Sequence, residues 1–152
     1  MSDVPAAALA EPRLRLIAES YQRLTGKPLL KVVPDDVKEL ARALWVAPHA
    51  IVAHGTEADP VFFYGNRRAL ELFEMSFAEF THLPSRLSAE APAREERARL
   101  LEQVASRGFV DNYAGLRIAK SGRRFMIENG TVWNLVDETG ACHGQAATFR
   151  VS

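Results

Sequence analysis

The sequence predicts an α+β fold: a five-stranded antiparallel sheet with helices on one face, preceded by two N-terminal helices. The order of the elements supports this, because two short strand patterns come first, helix patterns follow, and three longer strand patterns end the chain. The last three strands are joined by turns too short for crossovers, so they must pair as an antiparallel meander. The two early strands then complete the sheet.

The composition is that of one compact domain. The chain has 152 residues, of which 47% are hydrophobic, enough for a packed core. The 19 basic and 19 acidic residues cancel, which argues against nucleic acid as a partner. Cys142 is the single cysteine, so an internal disulfide is excluded and a reducing compartment is expected. Neither a signal peptide nor a membrane span is indicated, so we expect a cytoplasmic protein without a membrane partner.

The N-terminal third divides into a tail and a helical segment. Residues 1–11 are expected to form a flexible tail, and residues 12–47 a helical segment ahead of the core. The first helix pattern begins at Pro12 and ends at Gly26, residue types that favour the two ends of a helix. A second pattern begins near Asp35 or Asp36, where a carboxylate can cap it.

The first helix carries a narrow apolar stripe. Its members recur at three- and four-residue steps on one face: Leu14, Ile17, Tyr21 and Leu24. An isolated helix of this length is marginal in water, so the stripe needs either the protein's own sheet or a second copy of the chain. We expect a homodimer that uses these N-terminal helices.

Residues 48–152 carry the patterns of the predicted core. Two strand patterns, at residues 50–53 and 61–64, flank a turn. Asn66 can cap the helix that follows, and the run from Ser76 to Glu79 fits a capping box.

The second half of the core begins with the longest helix pattern, from Pro92 to Gly108. Asn129-Gly130 predicts a bulge or kink inside one of the strands that follow. Those strand patterns cover residues 109–119, 124–135 and 143–151. Two strands, several helices and three strands are the layout typical of a PAS-type sensor fold.

Several motifs of this chain resemble the MEKHLA domain, a family regarded as PAS-related. The resemblance covers about residues 12–150 and implies a sensory or regulatory module. It implies no defined biochemical activity, and no DNA-binding segment accompanies the domain here. The motifs are residues 72–76 (LFEMS), 83–90 (LPSRLSAE), 94–97 (REER), 108–115 (GFVDNYAG) and 144–149 (GQAATF).

A PAS-like fold places a cavity between the helices and the inner face of the sheet, and polar residues on apolar strands are the best pointers to it. Three amides also resemble those of flavin-binding PAS domains: Asn112, Asn134 and Gln145. Cys142 lies far from the helix that carries the cysteine of light-responsive members, so a cysteinyl-flavin photocycle is not expected. The complete candidate cavity set is Asn66, Arg86, Asn112, Tyr113, Glu128, Asn134 and Gln145.

Alternatives remain for individual residues. The amides could instead face solvent or bind backbone, and Arg86 could clamp an anion or pair with Glu90 or another acid. His82 is a conceivable haem ligand by position. The four histidines lie outside any zinc-like pattern, so no metal site is expected.

For function, we expect a PAS-like module that binds a small molecule, mediates protein–protein interaction, or both, without catalysis of its own. No nucleophile elbow or phosphate-binding loop is present. One alternative is a small α+β isomerase- or hydratase-like enzyme in which a buried Glu128 acts as general base. Another is a flavin-binding PAS domain. No cofactor is expected, with flavin or haem as the alternatives.

Overall fold

The computed structural model describes residues 4–89 and 91–151. The helices are α1 (Ala6–Leu9), α2 (Leu14–Thr25), α3 (Val37–Val46), α4 (Arg67–Phe73), α5 (Phe77–Phe80) and α6 (Ala91–Arg107), with a 3-10 turn at Ser85–Ser88. The strands are β1 (Ala50–His54), β2 (Phe62–Gly65), β3 (Phe109–Ile118), β4 (Arg124–Val136) and β5 (Cys142–Val151).

These strands form a five-stranded sheet in the order β2-β1-β5-β4-β3, and each neighbouring pair is antiparallel. The predicted α+β class and the five-stranded antiparallel sheet are confirmed. The C-terminal meander supplies β3, β4 and β5, and the early hairpin joins it because β1 pairs with β5.

The helix ends follow from local chemistry that the sequence predicts. Asp36, Asn66 and Ser76 cap α3, α4 and α5, and Ser76 forms a complete capping box with Glu79. Gly26 ends α2 with φ 74°, a left-handed conformation that glycine adopts without steric penalty.

A bulge in β4 decides which side chains reach which face of the sheet. The pairing with β5 shifts register between Glu128 and Thr131, and Asn129 between them has φ 51°. Because side chains alternate along a strand, the extra residue exchanges the two faces beyond it. Ile127 and Val132 therefore share the inner face, and Trp133 reaches the outer face. The predicted irregularity at Asn129-Gly130 is confirmed.

The N-terminal helices cover the outer face. Leu14 and Ile17 are fully buried, and the ring of Tyr21 lies edge-on to Trp133 at 4.8 Å between centroids. Trp133 also donates its indole N–H to the carbonyl of Ile17 over 3.2 Å. Trp45 is buried beside Phe77. The apolar stripe of α2 thus packs on the protein's own sheet. Of the two surfaces considered for this stripe, the sheet covers it and a second copy of the chain is not required.

The inner face is covered by the helices between β2 and β3. Phe73 and Phe80 pack against each other at 5.4 Å, and Phe73 also lies edge-on to Phe125 of β4 at 5.0 Å. Phe62 stacks on Phe80 at 4.3 Å. Helices therefore lie on both faces: α2 packs on the outer face, and Trp45 of α3 reaches Phe77 of α5.

Within the predicted flexible tail, the structure places helix α1. Ala8 is completely buried and packs in the same cluster as α2 and α3. Residues 1–3 of that tail lie outside the described residues. Among the described helices, none is both long and apolar enough to cross a membrane.

Candidate functional site

A cavity of about 50 Å³ lies between the inner face of the sheet and the helices that cover it. Its walls come from the centre of the sheet, from Phe73 of α4, from Ser88 and from Leu100 and Leu101 of α6. Most of the lining is apolar: Val52, Ala53, Phe62, Phe73, Leu100, Leu101, Ile127, Gly130, Val132, Ala146, Ala147 and Phe149. The polar lining is His54, Ser88, Tyr113, Arg117, Gln145 and Thr148.

Arg117 is the charged side chain among the described residues of this lining. It is 7% exposed, although β3 is an edge strand of the sheet. Its guanidinium donates to the carbonyl of Leu116 over 2.9 Å and to the hydroxyl of Tyr113 over 3.1 Å. The guanidinium carbon lies 5.5 Å from the centre of the Tyr113 ring. Strand pairing with Phe125 holds Arg117 on the inner face.

Gln145 connects the cavity to α6. Its amide N–H donates to the carbonyl of Leu101 over 3.3 Å and to the side-chain oxygen of Asn134 over 3.1 Å. Asn134 in turn donates to the carbonyl of Val104 over 2.9 Å. Two amides of the sheet thus bind consecutive turns of α6, so a change at Gln145 reaches that helix directly.

Of the seven residues predicted to form the cavity, Tyr113 and Gln145 are in its described lining. Asn134 lies behind Gln145 and contacts the site through it. The structure brings these three together because β3, β4 and β5 are consecutive in the sheet.

Asn66 lies elsewhere, between α3 and β1, and is fully buried. Its side-chain oxygen accepts from the N–H groups of Ile51 and Ala69 over 3.0 and 3.1 Å. Its amide donates to the carbonyls of Leu44 and His49 over 3.0 Å each. An asparagine side chain offers two donors and two acceptor positions, so none is left for a ligand.

Asn112 and Glu128 also lie outside the described cavity lining. Asn112 is exposed and has φ 53°, at a register shift of β3. Asparagine tolerates this left-handed conformation better than most residues, which accounts for its presence. Glu128 lies opposite Arg150 in the strand register of β4 and β5. It follows Ile127, which lines the cavity, and because side chains alternate along a strand, Glu128 points to the opposite face. The general base of the enzymatic alternative is therefore not in the cavity.

Arg86 forms an exposed ion pair with Asp59 at 3.1 Å, which is one of the two alternatives considered for it. Glu90, the other acid considered, lies outside the described residues. An exposed pair of this kind adds little to stability.

Arg117 was not among the predicted cavity residues. The sequence signals it only as a charged residue between Leu116 and Ile118. Tyr113 and Gly115 precede it at steps of two residues, so they share its face of the strand. Sequence reasoning favours solvent for such an arginine, because arginine is rarely buried. The face that Arg117 occupies also depends on the bulge at Asn112, because the extra residue reverses the alternation of side chains beyond it.

The described residues do not fit a flavin or a haem. A cavity of about 50 Å³ is far smaller than the roughly 300 Å³ at the low end of ordinary ligand pockets. Of the three amides expected at a flavin ring, Gln145 lines the cavity, whereas Asn112 faces solvent. His82 is exposed, and its ring nitrogen contacts the carbonyl of Ala78 at 2.7 Å. Across the described part of the chain, no three His, Cys, Asp or Glu residues are grouped to hold a metal.

The sequence of residues 12–151 matches the family model described as the MEKHLA domain. The chain belongs to the MEKHLA domain family. The predicted family is confirmed, and the match includes the N-terminal helices α2 and α3 as well as the sheet.

Curated relatives of this MEKHLA domain include plant proteins. The homeobox-leucine zipper protein ATHB-15 of Arabidopsis thaliana is 24% identical over 134 residues, 88% of this chain and 16% of that protein. HOX10 of Oryza sativa subsp. indica is 25% identical over 135 residues, 89% of this chain and 16% of that protein. The MEKHLA domain thus spans about a sixth of the length of these relatives.

Solved structures show the same fold. A PAS domain of a Colwellia psychrerythraea protein has a TM-score of 0.64 and 18% identity, and the match covers 76% of this chain and 96% of that one. An RNA-binding light-oxygen-voltage receptor has a TM-score of 0.69 and 19% identity over 82% of this chain and 36% of that one. At these identities the likeness establishes the PAS-like fold of the MEKHLA domain and nothing further.

Proposed function

We propose that this MEKHLA domain is a sensory or regulatory module that binds a small molecule in the inner cavity and passes the event to a protein partner, without catalysis of its own. The observation that carries the proposal is the apolar cavity of about 50 Å³ with a few convergent polar groups, a lining typical of small-molecule sites although the volume is smaller. Its position between sheet and helices, in a PAS-like fold, supports the same conclusion.

The hydrogen bonds from Gln145 and Asn134 to α6 connect the cavity to that helix, so ligand binding can change how α6 is held on the sheet. A ligand that engages the Gln145 amide competes with the carbonyl of Leu101 and loosens α6 from the sheet. The two states then differ by about one or two hydrogen bonds, an energy that a small ligand can supply.

The enzymatic alternative loses its general base, since Glu128 lies on the other face. For the flavin and haem alternatives, native mass spectrometry and an absorption spectrum of freshly purified protein are decisive. We expect a colourless protein. Bands in the flavin region or a Soret band would contradict this.

The cavity itself is tested by filling it. Ala147 lines the cavity, and Ala147→Leu is expected to abolish methyl NMR shifts caused by small apolar probes such as 1-butanol. Ala114→Leu, at an exposed position of β3, is the matched control and should leave those shifts unchanged. Equal shifts in the wild type and Ala147→Leu would contradict binding in this cavity.

We also propose that the domain forms a homodimer through its N-terminal segment, by a contact other than the stripe of α2. Because Leu14 and Ile17 are buried within the chain, a two-fold contact would use exposed apolar residues of the segment: Leu9, Val32, Val37 and Val46. Light scattering of Val32→Asp should then show monomers, with Met126→Asp on β4 as control. A monomeric wild type at high micromolar concentration would contradict the proposal.

A cytoplasmic location is proposed from the exposed free thiol of Cys142, which suits a reducing compartment. Nucleic acid is not proposed as a partner, because the 19 basic and 19 acidic residues leave no net positive charge to attract phosphate.

A further inference from the structure

We propose that the ligand of the inner cavity is a small carboxylate with a short apolar tail, held by Arg117 and Tyr113. This inference rests on the proposed function, since it names the chemical class that the cavity would take.

The first support is the environment of Arg117. Withdrawing a guanidinium from water is unfavourable unless an opposite charge compensates it. Arg117 is 7% exposed, yet among the described residues it forms no ion pair. Other arginines of this chain, although more exposed, do have carboxylate partners: Arg13 with Glu11, Arg86 with Asp59 and Arg123 with Glu74.

The second support is the number of donors left over. A guanidinium has five N–H donors, and the described acceptors are two, the carbonyl of Leu116 and the hydroxyl of Tyr113. A planar carboxylate can accept two parallel bonds from such a fork. Because Arg117 lines the cavity, an anion that enters it can accept from the donors left over.

Tyr113 adds a donor to the same place. Its hydroxyl oxygen accepts from Arg117, so the hydroxyl hydrogen is free to rotate toward a second acceptor in the cavity. Arginine and tyrosine together can thus donate to both oxygens of one carboxylate.

The rest of the lining sets the size and polarity of the tail. A volume of about 50 Å³ corresponds to about three or four water-sized spaces. The walls around it are hydrocarbon and aromatic, including Phe73, Ile127 and Phe149. A short alkyl chain fits such walls, whereas inorganic phosphate would leave several oxygens without donors.

The test uses the full chain with methyl groups labelled for NMR, titrated with butyrate, with its neutral isostere butyramide, and with 1-butanol. We expect butyrate to shift the methyl signals of Ile127 and Val132 and to bind at least about tenfold more tightly than butyramide. Arg117→Met should weaken butyrate about tenfold or more and leave 1-butanol binding unchanged.

Two further variants keep the outcome clear. Arg86→Met removes an exposed arginine and should leave butyrate binding as in the wild type. Tyr113→Phe keeps the ring and removes the hydroxyl, and it should weaken butyrate by a smaller factor than Arg117→Met. Arg117→Met is expected to stay folded, because it removes a charge that is costly to bury without an ion pair and keeps an unbranched apolar side chain in its place. If it does not fold, Tyr113→Phe alone decides.

The results separate the two proposals. If 1-butanol shifts the cavity methyls and butyrate does not, the carboxylate inference is overturned and the proposed function stands. If no probe shifts them in the wild type, both are overturned. Butyrate binding that survives Arg117→Met, survives Tyr113→Phe at full strength, or is lost in Arg86→Met also overturns the inference.

Discussion

Asn66 shows how a polar side chain can be fully buried without facing a ligand. Its four hydrogen bonds join the last turn of α3, the start of β1 and the first turn of α4. The same residue is therefore a helix cap and a link between three elements. Burial of a polar group marks either a site or a saturated structural network, and only the partner atoms distinguish the two.

We predict that Asn66→Asp is strongly destabilising, by about 3 kcal/mol or more. The carboxylate can still accept from Ile51 and Ala69, but it faces the carbonyls of Leu44 and His49 with no hydrogen to donate. Urea unfolding followed by circular dichroism measures the change.

The control for this prediction is Asn112→Asp, at an exposed bulge where aspartate tolerates the same backbone conformation. Its effect should stay within about 0.5 kcal/mol. Equal stabilities of the two variants would show that the Asn66 network contributes little.

At the scale of elements, irregularities in the strands decide which residues reach the cavity. Asn112 in β3 and Asn129 in β4 both have positive φ and both coincide with register shifts. Gly144 in β5 has φ 136° and lies next to a third shift. Each extra residue exchanges the inner and outer faces along the rest of its strand.

Gly144 gives the sharpest test of this element-level packing. A Cβ there would lie 2.0 Å from the carbonyl oxygen of His54, which is backbone and cannot move aside cheaply. We predict that Gly144→Ala destabilises the domain by about 3 kcal/mol, from strain and the clash together.

Gly140→Ala is the matched control, because its φ of 86° is also positive but an added Cβ meets no atom of the described residues within 4 Å. Its cost should be about 1 kcal/mol. Thermal unfolding compares the two, and equal losses would show that conformation rather than the clash matters at Gly144.

Helix α5 is tied to the turn between β3 and β4 by an ion pair of Glu79 with Lys120. The bond from Lys120, with a backbone bond from Ser76, lowers the pKa of Glu79 from 4.5 to about 2. A lowered folded-state pKa gives stability that is present above about pH 4.5 and is lost as the pH falls toward 2.

We therefore predict that Glu79→Gln flattens the loss of stability between about pH 4.5 and pH 2 relative to the wild type. Denaturant midpoints across this range measure it. Glu71→Gln is the control: it removes an ion pair with Arg68 within α4, and its dependence of stability on pH should have the same slope as that of the wild type. A Glu79→Gln slope equal to that of the wild type would contradict the tether.

At the scale of the molecule, the sheet is covered on both sides. Trp133 and Leu135 lie under the N-terminal helices, whereas Val132 and Ile127 lie under the helices of the inner face. The N-terminal segment therefore closes one half of the core, and the family match from residue 12 onward includes it.

We predict that removing residues 1–26 abolishes cooperative folding, because it exposes Trp133 and takes away Ile17 and Leu14. Near-ultraviolet circular dichroism and dye binding measure the loss of fixed packing. A chain that begins at Val4 is the control and should unfold as the full chain does. A truncated chain with a cooperative transition would contradict this account of the outer face.

The sequence by itself determined the fold class, the family and the strand order in the meander, because these follow from the order of the elements, from the motifs and from the short turns. It also determined helix ends, because these depend on local chemistry: caps at Asp36, Asn66 and Ser76, and the stop at Gly26. Only the tertiary structure decided which face each strand residue takes, since one bulge reverses the alternation on which any such prediction depends. For this reason Glu128, predicted for the site, lies on the other face, and Arg117, which was not predicted, lines the cavity. Asn66, a member of the candidate cavity set, is instead saturated by backbone partners, two of which, Ile51 and Leu44, are distant from it in sequence.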